Sequence, residues 1–171
     1  MKAGMWCLSL AVTLHAQAIS ENSTGAKLRS ILERIAHEPT SLVIAAKGDS
    51  SEALESIRQM GPALGPLVRD GRGEIAVLSY GDRIRIVQPF TSDPAAVSNA
   101  IDGLKISSTS SPMIDAVAEG ISALEARPMY RRRILLVLGE GKDHPVSKAG
   151  QSVLDRAQRS SVLIYVITAA R

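Results

Sequence analysis

A chain of 171 residues is long enough to bury one core and too short for two, and with only 3% aromatic residues that core must consist of Leu, Ile, Val and Ala. The formal charge of +3, with opposite charges interleaved along the chain, argues against a nucleic-acid partner. The basic run Arg131 to Arg133 is short and is followed directly by apolar residues. We interpret it as a charged entry to the apolar strand that follows.

The first 18 residues have the pattern of a secretory signal peptide. Lys2 gives a positive start, residues 5–14 form an apolar run too short to span a bilayer as a helix, and Ala16-Gln17-Ala18 fits a small-x-small cleavage site. The expected mature protein is secreted or periplasmic and has no membrane span. The single cysteine, Cys7, would leave with the signal, so no disulfide is expected. The alternative is a cytosolic chain with an apolar start.

Residues 19–40 form an N-terminal helical segment in this prediction. Four apolar residues fall on one helical face over residues 27–38: Leu28, Ile31, Leu32 and Ile35. Pro39 ends the helix. The remaining domain covers residues 41–171.

In the first part of that domain, strands and helices alternate. The pattern predicts a buried strand over 42–46, a helix over 54–67 kinked at Gly61-Pro62, and a strand over 74–80. Gly81-Asp82 is typical of a two-residue hairpin, and the alternation from Arg83 to Ile86 predicts an antiparallel strand at the sheet edge.

The second part continues this alternation. Asp93-Pro94 and Ser111-Pro112 are each typical of a helix start. A continuous apolar strand over 134–138, a helix over 147–159 and a last strand over 162–167 follow. The order predicts an α/β fold, a doubly wound (Rossmann-like), mostly parallel sheet with one antiparallel edge strand. Sites in such sheets lie outside the carboxyl ends of the strands, which indicates three loops: 47–51, 107–111 and 139–143.

Four further segments are informative: Ile75 to Asp82, Val87 to Asp93, Met113 to Ala116 and Ile134 to Gly141. They resemble the von Willebrand factor A (vWA) family, particularly vWA-like domains of secreted bacterial proteins, and the second is similar to the family's "-QPFTSD-". The resemblance covers residues 41–171. It implies a vWA-like domain that binds another protein through the loops at the carboxyl ends of the strands.

The resemblance also implies a degenerate metal site. The family holds a divalent cation with an Asp-x-Ser-x-Ser loop, where this chain has Ala45, Lys47 and Asp49. Ser111 stands at the family's Thr and Glu140 at its third-loop Asp. Mg²⁺ prefers oxygen ligands, and a lysine ammonium nearby opposes a cation. The expectation is no cofactor, with Mg²⁺ or Mn²⁺ held by Asp49, Ser111 and Glu140 as the alternative.

The candidate ligand-binding residues lie in the same three loops: Lys47, Asp49, Ser50, Ser51, Ser111, Glu140 and Asp143. Three of them also have structural interpretations. Asp49 with Glu52 has the spacing of a helix capping box, Ser111 suits a helix start, and Glu140 suits a solvated loop.

No catalytic residues are expected. The chain lacks a dinucleotide-binding glycine pattern, a phosphate loop and a Gly-x-Ser-x-Gly nucleophile elbow. A secreted hydrolase stays as the second alternative and would pair His144 with Asp143 or Glu140.

The last apolar strand would lie at an open sheet edge, which proteins normally avoid. The vWA family's sheet continues into a further helix and strand, which this chain is expected to lack. The edge is covered by the N-terminal helix, pairs with a partner or a second copy, or belongs to a truncated gene product.

Overall fold

The computed structural model describes residues 38–48, 51–68, 71–106, 113–139 and 148–168. The strands are β1 Thr40–Ala46, β2 Gly73–Ser79, β3 Arg85–Thr91, β4 Arg132–Gly139 and β5 Val162–Thr168. The helices are α1 Ser51–Val68, α2 Pro94–Asp102, α3 Met113–Glu125 and α4 Lys148–Arg159. The predicted signal peptide, residues 1–18, and nearly all of the predicted helix over 27–38 lie outside the described residues.

The five strands form one sheet in the order β3-β2-β1-β4-β5. β1 pairs in parallel with both β2 and β4, and β4 pairs in parallel with β5. β3 runs antiparallel to β2 at one edge. This topology confirms the predicted α/β class with a mostly parallel sheet and one antiparallel edge strand.

The core lies on both faces of the sheet. All seven residues of β1 are buried, and successive side chains point to opposite faces. Leu42 and Ile44 pack in the cluster that includes residues of α1 and α2, whereas Val43 and Ala45 pack in the cluster that includes residues of α3 and α4. Helices therefore cover both faces, which explains why the strands are continuous apolar runs.

The predicted helix and strand boundaries are close to those observed, with one exception. Asp93 caps α2 as expected, accepting a hydrogen bond from the backbone N–H of Ala95 at 2.9 Å. The two-residue hairpin at Gly81-Asp82 was wrong, because β2 ends at Ser79 and β3 starts at Arg85. The connection is the five residues 80–84, and the first of them, Tyr80, is 3% exposed and packs in the core.

Two of the three arginines at the start of β4 form hydrogen bonds within the domain. The Arg131 Nε donates to the Ser41 hydroxyl at 2.9 Å and lies 3.2 Å from a carboxylate oxygen of Glu74. Arg133 is only 9% exposed and donates to three backbone carbonyls. The interpretation of the run as a charged strand entry is therefore wrong for these two residues, since carbonyls and a carboxylate at the amino ends of the strands bind them. Arg132 remains exposed.

β5 forms the other edge of the sheet. Within the part of the chain that the structure describes, β4 is the only strand hydrogen-bonded to it. None of the described helices is long and apolar enough to cross a membrane.

Candidate functional site

The sheet has a topological switch point between β1 and β4. The chain leaves β1 through α1 on one face and leaves β4 through α4 on the other, so the two connections diverge at the carboxyl ends of these strands. Ligands of open α/β sheets bind in the crevice that such a divergence creates. The backbone N–H of Lys47 donates to the carbonyl of Leu138 at 3.1 Å, which holds the first loop against the end of β4.

The first and second predicted loops are joined by a backbone contact. Gly48 forms an isolated parallel bridge with Ile106, the last described residue before the serine-rich loop. A Cβ atom on Gly48 would lie 2.8 Å from the carbonyl oxygen of Lys105 and 2.6 Å from a methyl group of Leu54. Only glycine permits this approach without a shift of its neighbours. The starts of all three predicted loops are therefore close together.

The position of the family's leading aspartate is apolar in this chain. Ala45 is 0% exposed and belongs to the same cluster as Leu78, Val137 and Tyr80. The hydroxyl group of Tyr80 donates to the carbonyl of Leu138 at 3.2 Å. Because β1 lies between β2 and β4, the Tyr80 side chain reaches across the carboxyl end of β1. An aromatic ring and a methyl group thus occupy this face of the switch point.

Most of the predicted contact residues lie outside the described residues: Asp49, Ser50, Ser111, Glu140 and Asp143. Of the remaining two, Ser51 is the first residue of α1 and Lys47 is half-buried after β1. The structure therefore brings together the anchors of the three loops and does not test the positions of their side chains.

The ionisable groups with shifted pKa values lie at the opposite end of the sheet. Hydrogen bonds from Arg156 and then Ser160 lower the pKa of Glu125 from 4.5 to about 2. The same pairing raises the pKa of Arg156. Across residues 38–48, 51–68, 71–106, 113–139 and 148–168, no three His, Cys, Asp or Glu side chains group as metal ligands would.

Sequence analysis missed three residues that shape the switch point: Gly48, Tyr80 and Ile106. Gly48 carried a signal, because a glycine directly after a buried strand often marks a close backbone approach. Tyr80 is one of only three tyrosines in an aromatic-poor chain, but nothing local indicates that its hydroxyl group reaches β4. Ile106 lies in a segment without periodicity, so its bridge could not be expected.

The geometry defines a class of fold: a doubly wound α/β domain with its switch point between the first and fourth strands. Solved structures with a similar fold support a vWA-like fold for this chain. No known family profile matches the chain, and no curated protein matches it.

Three solved structures illustrate the likeness. The conserved hypothetical protein BatB from Bacteroides thetaiotaomicron has a TM-score of 0.61 at 15% identity, over 75% of this chain and 66% of that one. An aerotolerance-related membrane protein from Bacteroides fragilis, carrying multiple mutations to serine, has a TM-score of 0.60 at 12% identity. The match covers 75% of this chain and 67% of that one. The structure of the three N-terminal domains of the type V pili tip protein Mfa5 from Porphyromonas gingivalis has a TM-score of 0.53 at 16% identity. The match covers 61% of this chain and 20% of that one. At these identities the likeness shows the fold alone.

Proposed function

We propose that this chain is an exported, non-catalytic protein-interaction module with a vWA-like fold. It binds its partner through the loops at the carboxyl ends of β1, α2 and β4, and it does so without a divalent cation. The proposal is supported by the switch-point geometry, which gathers the anchors of these loops. The solved neighbours, a membrane protein and a pilus tip protein among them, support a secreted or periplasmic location.

The environment of Ala45 is the observation that supports partner binding without a divalent cation. The vWA family has an aspartate at this position as its first metal ligand, whereas this chain has the fully buried methyl group of Ala45. A carboxylate there would lose its hydration among apolar side chains, which costs several kcal/mol unless it is paired. Lys47, two residues on, adds a positive charge on the same loop. Both features favour a contact surface over a metal site.

The test is a thermal melt of the purified chain in EDTA and then in millimolar Mg²⁺ or Mn²⁺. A cation that binds only the folded state, at about 100 times its Kd, would raise stability by roughly 2.7 kcal/mol. We expect no shift with either ion. A shift that disappears in Asp49→Ala or Glu140→Ala would instead establish the alternative, Mg²⁺- or Mn²⁺-dependent ligand binding.

A restoration variant sharpens this test. Ala45→Asp combined with Lys47→Ser returns two of the family's oxygen ligands to the first loop. We expect the double variant to melt at a lower temperature than the parent and to gain nothing from Mg²⁺, because the Tyr80 side chain covers the restored carboxylate. Recovery of stability on adding Mg²⁺ would show that only the ligands, and not the site's shape, have been lost.

A further inference from the structure

A cleft of about 430 Å³ opens at the end of the sheet opposite the candidate site. It is formed by the turn over 128–131, the start of β4, and the turn over 160–161 that leads into β5. Parallel strands β4 and β5 both begin here, so the cleft lies at their amino ends. The described residues that line it all lie outside the three loops assigned to the proposed function.

The lining of the cleft carries an excess of positive charge. Among the described residues, four arginines and one glutamate, Glu38, line it. Glu38 pairs with Arg132 at 3.3 Å, with side-chain exposures of 60% and 38%. Arg133 is 9% exposed, its Nε atom has no hydrogen-bond partner, and no carboxylate of the described residues pairs with it. Arg159 is exposed and, among the described residues, forms no ion pair. Arg131 is paired with Glu74, and Arg133 interacts electrostatically with Glu125. An anionic ligand would therefore meet chiefly the charge of Arg159 and that of Arg132, whose pair with Glu38 is exposed.

Large apolar side chains are exposed beside these charges. Met129 is 91% exposed, Tyr130 is 74% exposed and Leu163 is 42% exposed, and all three line the cleft. Tyrosine, methionine and arginine are the residue types enriched at protein–protein interfaces, and exposed tyrosine and arginine are frequent hot spots. A site for a free anion or for a nucleic-acid backbone would not need such a set.

The cleft continues into the open edge of the sheet. Leu163 belongs to β5, which has an outer edge not paired with any described strand. β5 is seven residues long, or about 23 Å at a rise of about 3.3 Å per residue. An extended peptide can add to such an edge through main-chain hydrogen bonds while its side chains enter neighbouring pockets.

We propose that this cleft and the edge of β5 together bind an extended acidic segment of a partner protein. The segment's carboxylates face Arg132 and Arg159, an apolar side chain packs on Met129 and Tyr130, and its backbone pairs with β5. A partner's acidic segment suits this charge better than residues 19–37 of the chain itself, which carry three basic and two acidic residues.

The experiment measures fluorescence anisotropy of a labelled peptide of about ten residues in which Glu and Val alternate, long enough to cover β5. The control peptide replaces every Glu by Lys. We expect the acidic peptide to bind the full chain at least about tenfold more tightly than the control, and more weakly as salt is added. Equal affinity for the two peptides would overturn the proposal.

Three variants locate the binding. Arg159→Glu and Tyr130→Ala are each expected to weaken it by about tenfold. Arg83→Glu, in the exposed turn between β2 and β3, changes the net charge by the same amount and should change affinity by less than about twofold. An equal loss in Arg159→Glu and Arg83→Glu would refute a local site. Thermal melts verify that each variant is folded, and Arg159→Gln replaces Arg159→Glu if that variant is not.

Backbone pairing is tested with two acidic peptides N-methylated at alternate residues in opposite registers. Only one register directs its amide groups toward β5, so only one peptide should lose binding, by about tenfold or more. Equal binding by both would refute strand addition. A dimer that Arg159→Glu dissociates in sedimentation equilibrium, or an oligonucleotide that competes as well as the acidic peptide, would also overturn the proposal. Lys47→Glu, in the candidate site, should leave the affinity for the acidic peptide unchanged. This result would distinguish failure of the cleft proposal from failure of the proposed function.

Discussion

Glu74 holds together the amino ends of three strands, and replacing it with Gln should destabilise the domain. Its side chain is 13% exposed and accepts a hydrogen bond from the Ser41 hydroxyl at 2.6 Å. Arg127 binds both carboxylate oxygens at 2.7 Å each, and the Arg131 Nε lies 3.2 Å from one of them. One carboxylate thus links β1, β2 and the turn before β4.

The magnitude follows from these contacts. Each hydrogen bond to a charged group contributes about 1.5–3 kcal/mol, and removing one partner leaves the other unpaired. Glutamine keeps the shape and one acceptor oxygen, but it loses the charge and points an N–H₂ group toward a guanidinium. Because Arg127 is 33% exposed, water replaces part of the loss. We expect a decrease of about 2–4 kcal/mol in the free energy of unfolding, or roughly 5–15 °C in Tm for a chain of this size.

The matched control is Glu38→Gln. Glu38 also pairs with one arginine, Arg132 at 3.3 Å, but the two side chains are 60% and 38% exposed. Such surface pairs contribute at most about 1 kcal/mol. Urea denaturation of the parent and both variants, at low and high salt, measures the difference. Equal losses in the two variants, or a loss at Glu74 that high salt abolishes, would refute the claim that a semi-buried network holds the strand starts.

Two further predictions concern the candidate site and the opposite end of the sheet. Gly48→Ala should cost about 1–3 kcal/mol, because its Cβ would lie 2.8 Å from the Lys105 carbonyl oxygen, whereas Gly61→Ala, with nothing closer than 4.0 Å, should be neutral or stabilising in urea melts. Glu125 has a folded-state pKa lowered to about 2 from 4.5, so its pairing with Arg156 stabilises the fold above pH 4.5 and is lost as the pH falls toward 2. The stability difference between the parent and Glu125→Gln should therefore shrink between pH 5 and pH 2.5, and a difference constant over that range would refute the pairing.

The strands could be predicted because the sheet is covered on both faces. Under that condition each parallel strand becomes a continuous apolar run, such as Leu135 to Leu138, and Asp93-Pro94 marks a helix start through purely local chemistry. The hairpin at Gly81-Asp82 could not be predicted correctly. Tyr80, at the start of the connection, donates its hydroxyl group to the carbonyl of Leu138, 58 residues away, and no local pattern indicates this contact.

The hydrogen-bond network around Glu74 could not be predicted from local sequence either. Arg131 and Ser41 are 90 residues apart, and Arg127 and Glu74 are 53 apart. In the sequence, three consecutive arginines before a strand are typical of solvated charges, and only the fold shows which of them meet a carboxylate. The location of the candidate site, by contrast, followed from topology alone. The identity of its contacting side chains depends on the loops at 49–50, 107–112 and 140–147, outside the described residues.

The two proposed surfaces lie at opposite ends of β4, and this separation has a physical consequence. β4 has eight residues, so it is about 26 Å long at about 3.3 Å per residue. The Debye length at physiological salt is about 8 Å, so the excess charge of the cleft has little influence on the loops at the carboxyl ends. Among the described residues the two sites share no side chain, and the sheet between them buries all seven residues of β1. Substitutions at the two ends should therefore be additive, and the domain can bind an acidic segment at one end while it binds a second protein at the other.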